Sequence, residues 1–207
     1  MKNAVRIAPL VVLFSAAALL QGCATEPVTT LEMTWVSPQL PQEPFKRLLI
    51  ISVARDEFVQ IAFQDQMAAA LKARGMNAVA AKRYFSSDTA AEKARFKQSI
   101  DDSGADFVLI AHVTGRETKT RDDQFMTIGD ATGIYTAYDR YVSVARSQSD
   151  YSQETVTAEV SIFSVQGEKL IWSARTRTTN PRVTTGEDFA PHYVAVILEA
   201  MKKDKLL

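Results

Sequence analysis

After residue 45, short apolar runs alternate with amphipathic stretches of helical period. The runs Arg47–Val53 and Asp106–Val113 have strand length and carry apolar residues at consecutive positions, which is typical of strands covered on both faces. Residues 57–74 and 90–103 space their apolar side chains three and four apart, as helices do, and residues 77–81 form a short third run. The order strand, helix, strand, helix, strand predicts two crossovers and a parallel core sheet.

Capping residues mark the ends of the two predicted helices. Asp56 is a suitable N-cap for the first helix, and Gly75 is suited to end it. The run Thr89-Ala90-Ala91-Glu92 matches a capping box at the start of the second helix, and Gly104 is expected to end that helix.

The pattern changes towards the C-terminus. Thr155–Phe163 alternates apolar and polar residues, a turn follows at Gln166-Gly167, and the alternation resumes through Trp172, which predicts a β-hairpin with one buried face. Residues 187–203 form a last amphipathic helix, against which Trp172 is expected to be buried. We therefore predict one α/β domain over residues 46–207, with the order β-α-β-α-β, then a β-hairpin and a C-terminal helix, as a two-layer or three-layer sandwich with a mixed sheet.

An insert at residues 116–154 separates the third strand from the hairpin, and connections of that length are usually functional or disordered. Residues 134–146 could form a short helix or an extended ribbon. The insert carries tyrosines, which are enriched at protein interfaces and are our candidate interface residues, although they could equally cover the sheet of their own domain. A Gly/Ser linker replacing residues 121–150 should leave the domain folded, because the hydrophobic strands and helices lie outside this segment. If the tyrosines form the contact surface, the same replacement should abolish partner binding or self-assembly. The candidates are Tyr135, Tyr138, Tyr141 and Tyr151.

The N-terminus has the features of a secretion signal. Two basic residues precede an apolar stretch, Ile7–Leu20, that is shorter than the roughly 20 residues a spanning helix needs. The run Leu20-Gln21-Gly22-Cys23 that follows resembles the lipobox of bacterial lipoproteins, although a small residue is commoner than Gln21 at its position. The resemblance implies that residues 1–22 are a signal peptide and that Cys23 carries diacylglycerol and an acylated amine. The alternative is an ordinary signal peptide followed by a free cysteine.

The segment after the cysteine is predicted to be an extended tether over residues 23–45, because four prolines interrupt it. Leu31–Val36 could lie along the domain as an edge strand, with Trp35 as a packing anchor. Ala24, rather than aspartate, follows the cysteine, and by resemblance to lipoproteins of Gram-negative bacteria this implies transfer to the outer membrane, facing the periplasm.

Composition narrows the possible chemistry. The chain has 24 basic and 24 acidic residues, so it lacks the basic footprint that nucleic-acid binding needs. Its single cysteine rules out an intramolecular disulfide and a cysteine-rich zinc site.

His112 and His192 are interpreted as one packed and one exposed histidine rather than a metal pair. Arg175 and Arg177 are expected on an exposed face, with a strip that binds anions as the alternative.

Several known motifs are missing from the sequence. It contains no Gly-x-Ser-x-Gly motif and no glycine-rich phosphate loop after the first predicted strand. We therefore expect a protein that is not an enzyme and that needs no cofactor and no metal.

Several segments together resemble a group of small, mostly uncharacterised outer-membrane lipoproteins of Gram-negative bacteria. The most specific are Ser103-Gly104-Ala105-Asp106-Phe107-Val108-Leu109 and Gly167-Glu168-Lys169-Leu170-Ile171-Trp172-Ser173-Ala174. More distantly, the layout is similar to the α/β domains of the curli-secretion, exopolysaccharide-export and penicillin-binding-protein-activator lipoproteins. The resemblance implies an α/β sandwich without a cofactor that acts in envelope assembly through protein contacts or self-assembly. A periplasmic ligand- or glycan-binding module, with a pocket under the insert, is the alternative.

Overall fold

The computed structural model describes residues 28–40, 45–85, 89–117, 133–147, 155–179 and 186–207. The predicted signal peptide, Cys23 and Tyr151 lie outside these residues. Within them the chain forms six strands and four helices. In chain order these are β1 Val28–Val36, β2 Leu48–Val53, α1 Glu57–Lys72, β3 Ala78–Ala80, α2 Ala90–Ser103, β4 Phe107–Glu117, α3 Ile134–Ser147, β5 Thr155–Ser164, β6 Leu170–Thr179 and α4 Gly186–Lys203.

All six strands join one mixed sheet in the order β1-β6-β5-β4-β2-β3. β2 pairs in parallel with β3 and with β4, as the two predicted crossovers require. The remaining neighbours are antiparallel: β4 with β5, β5 with β6, and β6 with β1. The predicted α/β class and mixed sheet are confirmed.

Helices cover both faces of the sheet, so the sandwich has three layers. On one face α1 and α4 pack a core around Met67, Trp172 and Ile197. On the other face α2 and α3 pack a second core that includes Phe96 and Tyr138. The buried strand β2 contributes alternate residues to the two cores, which explains its uninterrupted apolar sequence.

The predicted helix ends are confirmed by cap geometry. The Asp56 carboxylate accepts a 3.2 Å hydrogen bond from the backbone N–H of Val59, and the Thr89 hydroxyl accepts one of 3.3 Å from that of Glu92. Gly104 adopts the left-handed conformation, with φ of 59°, where α2 ends. These caps satisfy backbone groups that each helix leaves unpaired.

The hairpin β5–β6 is present, but the prediction of a single buried face is wrong. Val160 and Ile162 face the α1–α4 core as expected, yet Thr157, Glu159 and Ser161 on the opposite face are buried as well. The sequence alternates between apolar and polar residues, but the face that carries the polar residues is covered as well. Buried polar groups need partners in the protein, so the second face must supply them.

Residues 28–36 belong to the sheet rather than to a separate tether. β1 pairs antiparallel with β6 along its length, from Val28 opposite Thr179 to Val36 opposite Trp172. The predicted edge strand at Leu31–Val36 is therefore confirmed and begins three residues earlier than predicted.

In the insert, α3 confirms the short helix predicted for residues 134–146, and the ribbon alternative is wrong.

Candidate interaction surface

The tyrosines of α3 cover their own domain. Tyr138 has no exposed surface and Tyr141 is 4% exposed. The Tyr138 ring stacks on Phe96 of α2 with centroids 4.2 Å apart and meets Phe85 edge-on. Tyr135 is partly buried and also contacts Phe96. The candidate interface is therefore wrong for Tyr138 and Tyr141, because a partner can reach only exposed side chains.

A buried group of polar side chains, which we name the polar cluster, lies beneath Tyr141. The imidazole of His112 on β4 stacks on the Tyr141 ring at a centroid distance of 3.4 Å. Glu159 stands opposite His112 in the β4–β5 register, and Arg175 stands opposite Glu159 in the β5–β6 register. Ser161 donates a 3.1 Å hydrogen bond to Glu159, whose other oxygen lies 3.7 Å from the Arg175 guanidinium. Three neighbouring strands thus bring these side chains together.

Burial decides the charge state of His112. Loss of solvent and the nearby positive charge of Arg175 lower the pKa of His112 to about 3, so the ring is neutral at physiological pH. It is 3% exposed, and His192 on α4 is exposed, which confirms the prediction of one packed and one exposed histidine. Within the described ranges, no group of three His, Cys, Asp or Glu side chains could hold a metal ion.

The two arginines of β6 contact acidic side chains of the chain itself. Arg175 lies near Glu159 and its side chain is only 15% exposed, so the prediction of an exposed face is wrong for this residue. Arg177 is more exposed and forms an ion pair with Glu32 of β1. Because each guanidinium already has a carboxylate of the chain beside it, the geometry does not favour the strip that binds anions.

Exposed large apolar side chains concentrate on β1 in the part of the chain that is described. We name Val28–Val36, with the side that faces away from β6, the β1 edge. Among the described strands, only β6 pairs with β1, so no described strand pairs with the far side of β1. Four of the six exposed large apolar side chains of the described residues lie on this strand: Val28, Met33, Trp35 and Val36.

The register explains why Trp35 is exposed rather than packed. Met33 stands opposite Arg175 and Trp35 opposite Ser173, so both project from the sheet face that carries α3. α3 lies over β4 and β2, several strands away from the β1 edge. Trp35 is consequently 38% exposed and Met33 45%. The expectation that Trp35 is a packing anchor is wrong, because the sequence does not reveal where the α3 layer ends.

A bulge divides the β1 edge into two halves. The register of β1 against β6 shifts between Leu31 and Met33, at Glu32, and the Glu32 carboxylate turns to Arg177. Bulges and charged side chains commonly protect sheet edges from pairing. Here the charge of Glu32 is neutralised by Arg177, and a regular stretch with three apolar residues remains at Met33–Val36. That stretch is suited to pair with another strand.

A shallow groove lies next to the end of β1. Its volume is about 360 Å³, and it lies between the segment that follows β1 and the β5–β6 turn. The sequence-based alternative expected a ligand pocket under the insert, whereas α3 contributes no residue to this groove. The polar lining residues are Ser37, Gln39, Ser164, Gln166 and Lys169.

Comparison with known proteins yields only distant similarity. No family model matches the chain, and no curated protein matches it. The PelC dodecamer from Paraburkholderia phytofirmans is 14% identical over 84% of this chain and 95% of that one, with a TM-score of 0.43. A single-substitution variant of the same dodecamer is 15% identical over 81% and 95% of the two chains, with a TM-score of 0.42. These similarities carry no functional conclusion for this chain.

None of the helices in the described ranges has the length and apolar character needed to cross a bilayer.

Proposed function

We propose that this protein is a non-catalytic, lipid-anchored component of the cell envelope that acts at the outer membrane by binding another protein. The observation that carries the proposal is the β1 edge, where Met33 and Trp35 are exposed on one face and Val36 on the other, beside backbone that no second described strand pairs. Large exposed apolar side chains that cluster on one element often mark an interaction site, and aromatic residues and methionine are enriched in protein interfaces.

The partner that best fits the β1 edge is an extended apolar segment of another chain. Such a segment would add a seventh strand, with main-chain hydrogen bonds giving affinity and alternate side chains meeting Met33 and Trp35. Since Glu32 is already paired with Arg177, the edge presents little uncompensated charge, and a strongly charged segment would gain nothing there. Self-pairing of two β1 edges is the competing outcome of the test.

Cross-linking in cells tests the partner. A photoreactive amino acid at Val36, which is 36% exposed, should give a covalent adduct of defined mass with a second protein. The adduct should disappear when Trp35→Glu is added. The same photoreactive residue at Gln98, exposed on α2, is the matched control and should give no such adduct. Equal cross-linking at both positions would contradict the proposal. An adduct that contains only this chain would identify the partner as a second copy of the same protein.

Lipid anchoring is supported by the lipobox and the preceding apolar stretch. One acyl chain binds a bilayer only reversibly, whereas several chains on one cysteine hold it firmly. Cys23→Ser removes the sulfur that would carry the thioether, so the variant should stay uncleaved or leave the membrane fraction. Normal processing with full membrane retention of this variant would show that the anchor lies elsewhere.

A ligand-binding module is the second candidate, favoured by the groove beside the β5–β6 turn. Lys169 and Gln166 offer the donors that a polar ligand such as a glycan fragment needs. Calorimetry with cell-wall glycan fragments should show binding that Lys169→Ala weakens at least tenfold, while Gln98→Ala leaves it unchanged. No heat of binding with any fragment would remove this candidate.

A further inference from the structure

One end of the sheet is defined by where β1 begins. Val28 pairs with Thr179, Thr179 with Thr155, and Thr155 with Glu117, so β6 and β4 finish at this end and β5 starts there. β2 runs parallel to β4 towards this end and stops at Val53, opposite His112, five residues before β4 finishes. α1 begins after it. We name this the anchor end of the domain. The β5–β6 turn lies at the opposite end.

The anchor end carries the most exposed large apolar side chain of the described residues. Phe58, in the first turn of α1, is 82% exposed, and Val28 at the start of β1 is 56% exposed. Arg55, Asp56 and Glu57, which lead into α1, are exposed beside Phe58. An exposed aromatic ring flanked by charged side chains is amphipathic, as surfaces that meet lipid headgroups are.

The length of chain before β1 decides which end can face a bilayer. Val28 follows Cys23 by five residues, and five fully extended residues reach at most about 18 Å. The ten residues of β5 span the height of the sheet, which at the rise of a strand is about 30 Å. If the β5–β6 turn rested on the membrane, Val28 would stand farther from the lipid than the chain can reach. With the anchor end towards the bilayer, the short connection suffices.

We propose that the anchor end rests on the outer membrane and that the Phe58 ring enters the headgroup region of the lipid. The inference rests on the proposed lipidation of Cys23 and adds an orientation to it. The β1 edge would then stand upright on the membrane, open sideways to a protein partner, and the groove beside the β5–β6 turn would point into the periplasm.

Site-directed labelling of the full-length lipidated protein tests this orientation. Once Cys23 is acylated its sulfur cannot react, so a cysteine introduced elsewhere is the only one to take a fluorescent label. Phe58→Cys is the test variant, and because Phe58 is 82% exposed its replacement leaves both cores intact. Gln166→Cys at the opposite end and Met33→Cys on the β1 edge are matched exposed controls.

The labelled proteins are bound to phosphatidylethanolamine–phosphatidylglycerol vesicles with nitroxide-bearing headgroups. We expect at least twofold quenching at position 58 and little change at 166 or 33. Quenching at 166, quenching at 33 above that at 58, or no quenching at any position on vesicle-bound protein would overturn the orientation and leave the lipid anchor standing. Failure of the protein to bind vesicles at all would overturn the anchor and the orientation together.

Discussion

The indole Nε1 of Trp172 donates a 2.9 Å hydrogen bond to the carboxylate of Asp204. The two residues are 32 positions apart, and the bond joins β6 to the turn that follows α4. Trp172 has no exposed surface, so its N–H cannot be satisfied by water from outside. This confirms the predicted burial of Trp172 against the last helix. The Asp204 carboxylate satisfies the buried N–H, which would otherwise destabilise the fold.

Removal of that acceptor should destabilise the fold. Asp204→Ala leaves a buried donor without a partner, which costs about 1–3 kcal/mol in the free energy of unfolding. Urea denaturation measures the loss, and Asp102→Ala on the exposed side of α2 is the matched control. In a Trp172→Phe background, which lacks the donor, Asp204→Ala should cost much less. An equal cost in both backgrounds would mean that Asp204 acts through some other contact.

α3 should prove indispensable for folding. It supplies the second core with Ile134, Ala137, Tyr138, Tyr141 and Val142, so a Gly/Ser linker replacing residues 121–150 should abolish cooperative unfolding. This reverses the expectation that we drew from the sequence.

Single substitutions in α3 measure the same effect. Tyr138→Ala should cost about 3–5 kcal/mol, as for other large buried side chains. Thr136→Ala on the exposed side of the same helix should change stability by less than about 0.5 kcal/mol. Comparable costs for the two substitutions in thermal and urea unfolding would place α3 outside the core.

The elements that local chemistry determines could be predicted from the sequence. The Asp56 and Thr89 caps, the left-handed Gly104 and the apolar strand β2 each depend on near neighbours in the chain, and each is present. Trp172 could be placed because strand alternation fixes its phase with Leu170 and Ala174.

The role of the insert tyrosines and the nature of the candidate surface could not be predicted. Tyrosine suits both a core and an interface, so the spacing of Tyr135, Tyr138 and Tyr141 does not choose between them. The polar cluster depends on the register of three strands, which brings His112, Glu159 and Arg175 together from distant positions. No local pattern encodes such a juxtaposition.

Arg175 should contribute strongly to stability because it forms a buried ion pair with Glu159. Both side chains are largely buried, and removing one member of a buried ion pair is strongly destabilising, at a cost of up to about 3–5 kcal/mol. Arg175→Ala should therefore destabilise strongly, whereas the double variant Arg175→Met with Glu159→Leu should recover much of the loss. Chemical denaturation compares them. A double variant as unstable as Arg175→Ala alone would indicate that the arginine stabilises the sheet by other contacts.

His112 should make the domain sensitive to mild acid. Its pKa is about 3 in the folded protein, against about 6.5 for an ordinary histidine in the unfolded chain. Below pH 6.5 the unfolded state therefore binds a proton that the folded state refuses, and stability falls by about 1.4 kcal/mol per pH unit until about pH 3. Above pH 6.5, His112 is neutral in both states and does not lower the stability. Lowering the pH from 7 to 5 should therefore lower the free energy of unfolding by about 2 kcal/mol.

The measurement is urea unfolding at pH 7, 6 and 5 for the wild type and for His112→Gln, whose side chain does not titrate. Carboxylates contribute to the pH dependence of both proteins, so the difference between them isolates His112. The advantage of the wild type over His112→Gln should shrink by about 2 kcal/mol between pH 7 and 5. His192→Gln is the matched control, since it removes an exposed histidine and should retain the acid sensitivity that His112 confers. A His112→Gln variant with the full wild-type pH dependence would show that His112 takes up its proton over the same pH range in the folded and unfolded states.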